Sequence, residues 1–246
     1  MIRNAVPVMP TQRKQSFQNF DPPKRYTGPL DTRRIRLGEL LHTSGRLPLT
    51  PSQLEFFHKD KSHTDIELCY AGDLNLANHP MVSIVGTRDA SLEGISRATR
   101  LSRELVRAGV VVMSGLARGI DGAAHRSAID NGGRTIAVIG TPLSKASPTE
   151  NAQLQEEIWR HHLLISPFQE GRSVFRSNFP QRNRVMAVIS DATVIVEASN
   201  TSGTLYQAAA CQSAGRWLFI LRSVVDSPGV TWPSRFLVGE IFWPSS

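Results

Sequence analysis

The stretch MVSIVGTRDASLEGISRATRLSRELVRAGVVVMSGLARGID, residues 81–121, passes twice from an apolar run into a glycine turn, with a helical segment between. Met81–Val85 is a mostly apolar run that stops at Gly86, and Val110–Met113 is a second that stops at Ser114-Gly115. Between them, Ser91–Ala108 sets Leu92, Ile95, Leu101, Leu105 and Val106 along one side at helical spacing and ends at Gly109. The stretch therefore predicts strand, helix, strand.

The same alternation continues downstream. The spacing predicts helices over Ile120–Asp130, Glu150–Arg160 (N-cap Thr149), Gln181–Ile189 and Gly203–Ala214. It predicts strands over Thr135–Ile139, Leu163–Ile165, Thr193–Val196 and Trp217–Leu221. The strands are continuous apolar runs, the pattern of strands covered on both faces. With right-handed crossovers the expected fold is α/β: a doubly wound, mostly parallel, Rossmann-like sheet over residues 80–246, with an N-terminal extension.

Upstream, residues 31–79 read as a short helical lead-in packed on the core. Leu37, Leu40 and Leu41 give a turn or two of helix, and Thr50–Phe57 a capped short helix. Residues 1–30, rich in Pro, Gln and Asn and without either period, read as a largely disordered basic arm.

The chain has 246 residues and a formal net charge of +7. Residues 1–46 hold nine basic residues and three acids, so +6 of the charge lies there and the other 200 residues carry only +1. Of the 28 basic residues 23 are Arg, whose guanidinium fork matches phosphate bidentately. The arm reads either as a solubilising tail or as a phosphate-seeking extension. No apolar run is long enough for a transmembrane helix, and the N-terminus lacks the apolar region of a signal peptide. Cys69 and Cys211 make neither a disulfide framework nor a cysteine zinc site. The expected location is the cytoplasm.

In a doubly wound sheet the ligand lies beyond the C-terminal ends of the strands. Gly86-Thr87-Arg88, Ser114-Gly115-Leu116-Ala117-Arg118-Gly119, Gly140-Thr141-Pro142-Leu143-Ser144-Lys145 and Glu197–Thr204 all lead with small residues and then offer hydroxyls or cations. Such loops suit a phosphate, because backbone N–H groups and helix N-termini can approach it. Neither G-x-G-x-x-G after the first strand nor a P-loop is present. An NAD dehydrogenase or a P-loop ATPase is therefore a poor fit. Glu197 could meet a ribose hydroxyl or brace the Arg side chains.

No catalytic constellation stands out, and no metal or cofactor is expected. Asp121 and His125 are i, i+4, but no nucleophile elbow and no third metal ligand accompany them; a buried, hydrogen-bonded His is the plainer reading. Phe179-Pro180-Gln181-Arg182-Asn183-Arg184 opens a helix with two Arg at i, i+2, which cannot share a face. Phe168, Phe175 and Phe179, interleaved with Arg172 and Arg176, could stack bases or anchor their loop.

These residues together resemble the DNA-processing protein A (DprA/Smf) family. The resemblance is carried by Ile84–Arg88, Ser114–Asp121 with Ala124-His125, Thr135–Thr141, Ser147-Pro148 with Asn151, Phe179–Arg184, Glu197 with Ser202–Leu205, and Gly215-Arg216. It implies a Rossmann-like core that binds DNA, chiefly single-stranded, as a homodimer, with a recombinase as partner and no reaction catalysed. It also implies phosphate contacts from Arg88, Arg118, Lys145 and Arg182, backbone approach at Ser114, Gly115 and Gly119, and interface positions at Asn183, Arg184, Ser202 and Gly203.

The sequence departs from the family at Pro142, Pro167 and Ser147, and leaves no room for the family's flanking domains. A compact member of this kind also fits a DNA-sensing partner of an effector or toxin in phage defence. Two other classes stay open: a nucleotide-binding sensor or N-glycosidic hydrolase of the Lonely Guy type, whose glycine-rich acidic motif is missing from Ala198–Gln207, and a protein-interaction module on an inert scaffold.

Overall fold

The structure, a computed structural model, describes residues 26–46, 66–200 and 203–236. In chain order its elements are β1 (Arg33–Arg36), α1 (Leu37–Thr43), β2 (Glu67–Gly72), β3 (Met81–Gly86), α2 (Leu92–Arg107), β4 (Val111–Ser114), α3 (Ile120–Asp130) and β5 (Thr135–Val138). Then come α4 (Ala152–His161), β6 (Leu163–Ser166), α5 (Asn178–Ile189), β7 (Ala192–Glu197), α6 (Thr204–Ser213), β8 (Trp217–Ile220) and α7 (Arg222–Val225). The strands form one sheet in the order β1-β2-β6-β5-β4-β3-β7-β8. From β6 to β8 all neighbours are parallel, while β1 and β2 add antiparallel at the β6 edge.

The fold is the doubly wound α/β sheet that the apolar runs predict, and its packing shows why those runs are continuous. Along β4, Val111 and Met113 enter a core with Val185 and Val188 of α5, whereas Val112 enters another with Ala98 of α2 and Ala124 and Ala128 of α3. Neither face of the strand meets water, so no position can be polar without a partner. Each fully buried aliphatic side chain contributes about 1.5–3 kcal/mol relative to exposure.

Several expectations need correction. The lead-in of residues 31–79 is not only helical: β1 and β2 are sheet strands, and Leu68, Cys69, Tyr70 and Ala71 are buried. The expected helix at Thr50–Phe57 lies outside the described residues. The last residues of the arm are ordered against the core, with the Tyr26 hydroxyl on the Leu143 carbonyl at 2.7 Å. The face of α2 is also different. Its buried stripe is Gly94, Ala98 and Ser102, while Leu92 is 90% exposed. Small residues let α2 and α3 approach until Ser102 Oγ donates to the Ala124 carbonyl and Ser127 Oγ to that of Thr99, each at 2.8 Å.

Two helix starts shift. α5 begins at Asn178, three residues early, because Pro180 is tolerated in a first turn, whose N–H groups need no intrahelical acceptor. Thr149 opens a 3-10 turn, Thr149–Asn151, rather than capping α4 directly. Strand β8 is a half-covered edge, with Trp217 75% and Phe219 53% exposed.

An ion pair between buried Arg46 and half-exposed Asp191 fixes the start of β3. Arg46 reaches Asp191 through Nη2 at 2.8 Å and Nε at 3.1 Å, and also donates to the carbonyls of Ala77 and His79. Asp191 in turn accepts the Met81 N–H at 2.8 Å.

Candidate nucleic-acid interface

The strand order reverses between β3 and β7, so the following helices leave toward opposite faces and a crevice opens beyond the strand ends. Ser114, fully buried, ties the end of β4 to β3 by donating to the Ile84 carbonyl at 2.6 Å. The chain then turns through Leu116, a non-glycine residue at φ 58°, and Gly119 at φ 71°. Asn151 holds this turn, its Nδ2 donating to the carbonyls of Leu116 and Ala117 at 3.0 Å each. Asp121 holds it from the other side, accepting the Ala117 N–H at 3.4 Å.

Arg182 lies beneath the loop, only 5% exposed. Gly115 presses on it so closely that a Cβ there would overlap the guanidinium. Its Nη1 donates to the Val138 carbonyl at 3.1 Å and stands 4.0 Å from Asp121. Its Nε is buried with no hydrogen-bond partner among the described residues. Burial pushes the Asp121 carboxyl up and the Arg182 guanidinium down, and each charge opposes the other's shift.

Above Arg182 a cavity of about 600 Å³ is lined by Thr87, Arg88, Arg176, Arg182, Asn183, Ser199, Gly203, Thr204 and Tyr206. A second, of about 230 Å³, adjoins it and is lined by Arg88, Gly115, Arg118, Gly140, Ser147, Pro148, Phe179 and Arg182. Arg88 borders both, its guanidinium 5.2 Å over the Phe179 ring. Arg118 is exposed and 3.8 Å from both Asp89 and Glu150, long surface pairs that hold it weakly. Four guanidinium groups thus converge with backbone-rich loops on one crevice.

The expected positions separate accordingly. Arg88, Gly115, Arg118, Arg182, Asn183 and Gly203 line the two cavities. Gly119 lines a groove of about 410 Å³ between α2 and α3 that also begins at Arg118. Lys145 is exposed on the neighbouring loop, and Arg184, half-buried, lies off the cavity face, as its i, i+2 offset from Arg182 requires. Ser202 is outside the described residues. Among the aromatics, Phe168 is buried, Phe179 lies under Arg88 and Phe175 is 63% exposed.

Tyr206, 62% exposed on the cavity rim, is a residue the sequence did not mark. Its one signal is its place two residues after Thr204, in the first turn of a helix that faces the crevice. Glu197 has a definite partner. Its carboxylate accepts the Ser91 N–H at 3.0 Å and hydroxyl at 2.6 Å, so it caps the N-terminus of α2. Asp121 and His125 do not form a dyad, since Asp121 faces Arg182 and His125 Nδ1 faces Thr135 Oγ1 at 2.7 Å. Among the described residues no three His, Cys, Asp or Glu cluster as metal ligands, and no helix is long and apolar enough to cross a membrane.

A family model described as DNA recombination-mediator protein A matches residues 51–234. The chain belongs to this family. As a recombination-mediator protein A relative it is 38% identical over 160 residues to DNA processing protein DprA of Streptococcus pneumoniae, covering 65% of this chain and 56% of that protein. It is 31% identical over 192 residues to DprA of Bacillus subtilis, covering 78% and 65%. The chain therefore spans less than two thirds of the length of these relatives.

The solved S. pneumoniae DprA structure superposes with a TM-score of 0.62 over 66% of this chain and 58% of that one. DNA processing protein A from Helicobacter pylori, whose structure is described as revealing a unique single-stranded DNA binding mode, gives 0.62 at 29% identity, over 73% and 81%.

Proposed function

We propose that this protein binds DNA in the strand-end crevice, single strands in preference to duplex, as a non-enzymatic component of DNA processing and recombination. The observation that carries the reading is the buried Arg182 guanidinium, its Nε unpartnered among the described residues, at the floor of two adjoining cavities rimmed by Arg88 with Arg176 on one and Arg118 on the other. A phosphate entering it meets charge-assisted donors in a site where water competes poorly. A floor this deep is reached by an unstacked nucleotide more readily than by the rigid backbone of a duplex, and Tyr206 and Phe175 offer faces on which bases stack at about 1–3 kcal/mol each. The single-strand binding mode of the H. pylori relative supports the same preference.

The nucleotide-hydrolase alternative would draw on Glu197, which here is engaged by Ser91. A second copy of the chain and a recombinase complete the proposal as protein partners, the exposed edge β8 being the surface offered to the copy.

The test is a salt series with single- and double-stranded oligonucleotides. The logarithm of the single-strand binding constant should fall against the logarithm of salt by about 0.7 per phosphate contacted. Arg88→Ala and Arg118→Ala should each weaken binding by roughly 1–3 kcal/mol, the scale of a hydrogen bond to a charged group. Affinity unchanged in both variants would reject the crevice as the site.

A further inference from the structure

The groove between α2 and α3 has no part in the crevice, yet the two share a residue. Arg118 stands at the junction, lining both the groove of about 410 Å³ and the smaller cavity of the crevice. On the α2 side the groove is walled by Ile95 and Thr99, and on the α3 side by Gly122, Ala123 and Arg126. Asp130, the last residue of α3, lies at the end away from Arg118.

The charge of the groove suits a polyanion. Arg126 is exposed on its rim and has no ion pair or hydrogen bond among the described residues. Arg118 has the long surface contacts to Asp89 and Glu150, each at 3.8 Å, which a phosphate can displace. Two guanidinium groups thus line the groove against one carboxylate, that of Asp130.

The floor of the groove is open where packing does not require it. At Gly119 a side chain is impossible, since a Cβ would stand 2.5 Å from the Thr87 carbonyl oxygen. At Gly122 a Cβ would meet the Ala117 carbonyl oxygen at 3.4 Å and Asn151 Nδ2 at 3.5 Å, an ordinary contact. Glycine inside a helix is less stable than alanine. What its missing side chain leaves is space, on the helix face that carries Arg126 at i+4.

Arg126 lies about 9 Å along the α3 axis from Ile120, a span that nearby phosphates of an extended strand can bridge. We propose that the groove carries the DNA strand onward from the crevice, with Arg118 holding the phosphate at the junction and Arg126 a later one. The proposal rests on the crevice being the DNA site. It adds Arg126 as a phosphate contact and Gly122 and Ala123 as the floor over which the strand passes.

The test uses the full chain and oligothymidine probes of about four and about thirty nucleotides over a salt series. The short probe fills the crevice alone, and the long one reaches the groove as well. Arg126→Gln removes the charge from an exposed side chain, and Ala123→Leu narrows the groove without changing charge. On the long probe the salt slope should become shallower by about 0.7 in Arg126→Gln, the share of one single-strand phosphate. Ala123→Leu should weaken binding of the long probe severalfold. On the short probe both variants should match the wild type. A wild-type slope for Arg126→Gln on the long probe overturns the proposal. An equal drop on both probes also overturns it, since Arg126 would then act on the crevice itself. Undiminished long-probe affinity in a folded Ala123→Leu protein removes the groove as the path, and Arg126→Gln decides alone if Ala123→Leu does not fold. Absence of DNA binding by the wild-type chain at low salt would instead reject the crevice reading itself.

Discussion

Leu116 holds a left-handed backbone conformation that costs a non-glycine residue about 1–2 kcal/mol, and it is fully buried beneath the crevice. What keeps it there is Asn151, whose side-chain amide bridges two successive carbonyls. Asn151→Ala should leave those carbonyls without a donor, cost roughly 1–3 kcal/mol in urea unfolding and weaken DNA binding with it, because Arg118 stands on the same turn. Undiminished affinity in a destabilised Asn151→Ala protein would separate the turn from the site.

His125 makes a different kind of prediction. Thr135 Oγ1 spends its hydrogen on the Val112 carbonyl at 2.7 Å, so it accepts from His125 Nδ1–H, and Nε2 has no hydrogen-bond partner among the described residues. Burial pushes this imidazole down to about 3. Below its unfolded value of about 6.5 the unfolded chain takes a proton that the folded chain refuses, so stability is lost as pH falls from there toward 3. The slope is about 1.4 kcal/mol per pH unit, or about 2 kcal/mol between pH 6.5 and 5. Buried His162, whose pKa burial also lowers, adds in the same direction. Urea midpoints at the two pH values check this, and His125→Gln should flatten the difference.

At the scale of elements, the contact between α2 and α3 is close because Gly94, Ala98 and Ser102 face it. Ala98→Leu should overpack this contact and cost about 1–3 kcal/mol. It should also push on α3, whose first turn carries the Gly115–Gly119 loop, and so reduce DNA affinity beyond what a surface change at Leu92 would do. A thermal melt and a binding isotherm on the two variants make the comparison.

The same elements show what the sequence could reveal. Strands β3 to β7 and their helices were legible because two-sided burial forces unbroken apolar runs. The strand β1, Arg33-Arg34-Ile35-Arg36, was not, because an edge strand of four residues with one buried side chain has no pattern to read. The stripe on α2 was misread because Ala and Gly are as buried there as any Leu, yet carry no hydropathy signal. In the crevice, Arg88, Gly115, Arg118 and Arg182 were legible from glycine and Arg at strand ends. The Arg46–Asp191 pair, the engagement of Glu197 by Ser91 and the hydrogen bond from Tyr26 to Leu143 join residues more than a hundred positions apart, and local sequence holds no trace of such contacts.

For the whole molecule, the eight-stranded sheet has two unlike edges. On β1 the exposed side chains are Arg33, Arg34 and Arg36, the charged edge by which proteins discourage strand pairing. On β8 they are Trp217 and Phe219, two residues apart and so on one face, with nothing among the described residues over them. Large aromatics bury about 150–250 Å² each and dominate interface energetics. If a second copy closes this edge about a two-fold axis, each aromatic is buried twice per dimer, and a substitution counts twice. Trp217→Lys with Phe219→Lys should therefore cost at least about 2 kcal/mol per protomer at a hot spot, roughly a thousandfold in the dimer dissociation constant over the two sides. The folded monomer should lose little, since both residues are exposed within it. Sedimentation equilibrium across micromolar concentrations should find the wild-type chain dimeric and this variant monomeric with an unchanged thermal midpoint, while Arg33→Ala with Arg36→Ala on the opposite edge leaves the dimer intact. A monomeric wild-type chain, or a dimer that survives the β8 substitutions, would remove the second copy from this edge and with it the dimeric part of the proposed function.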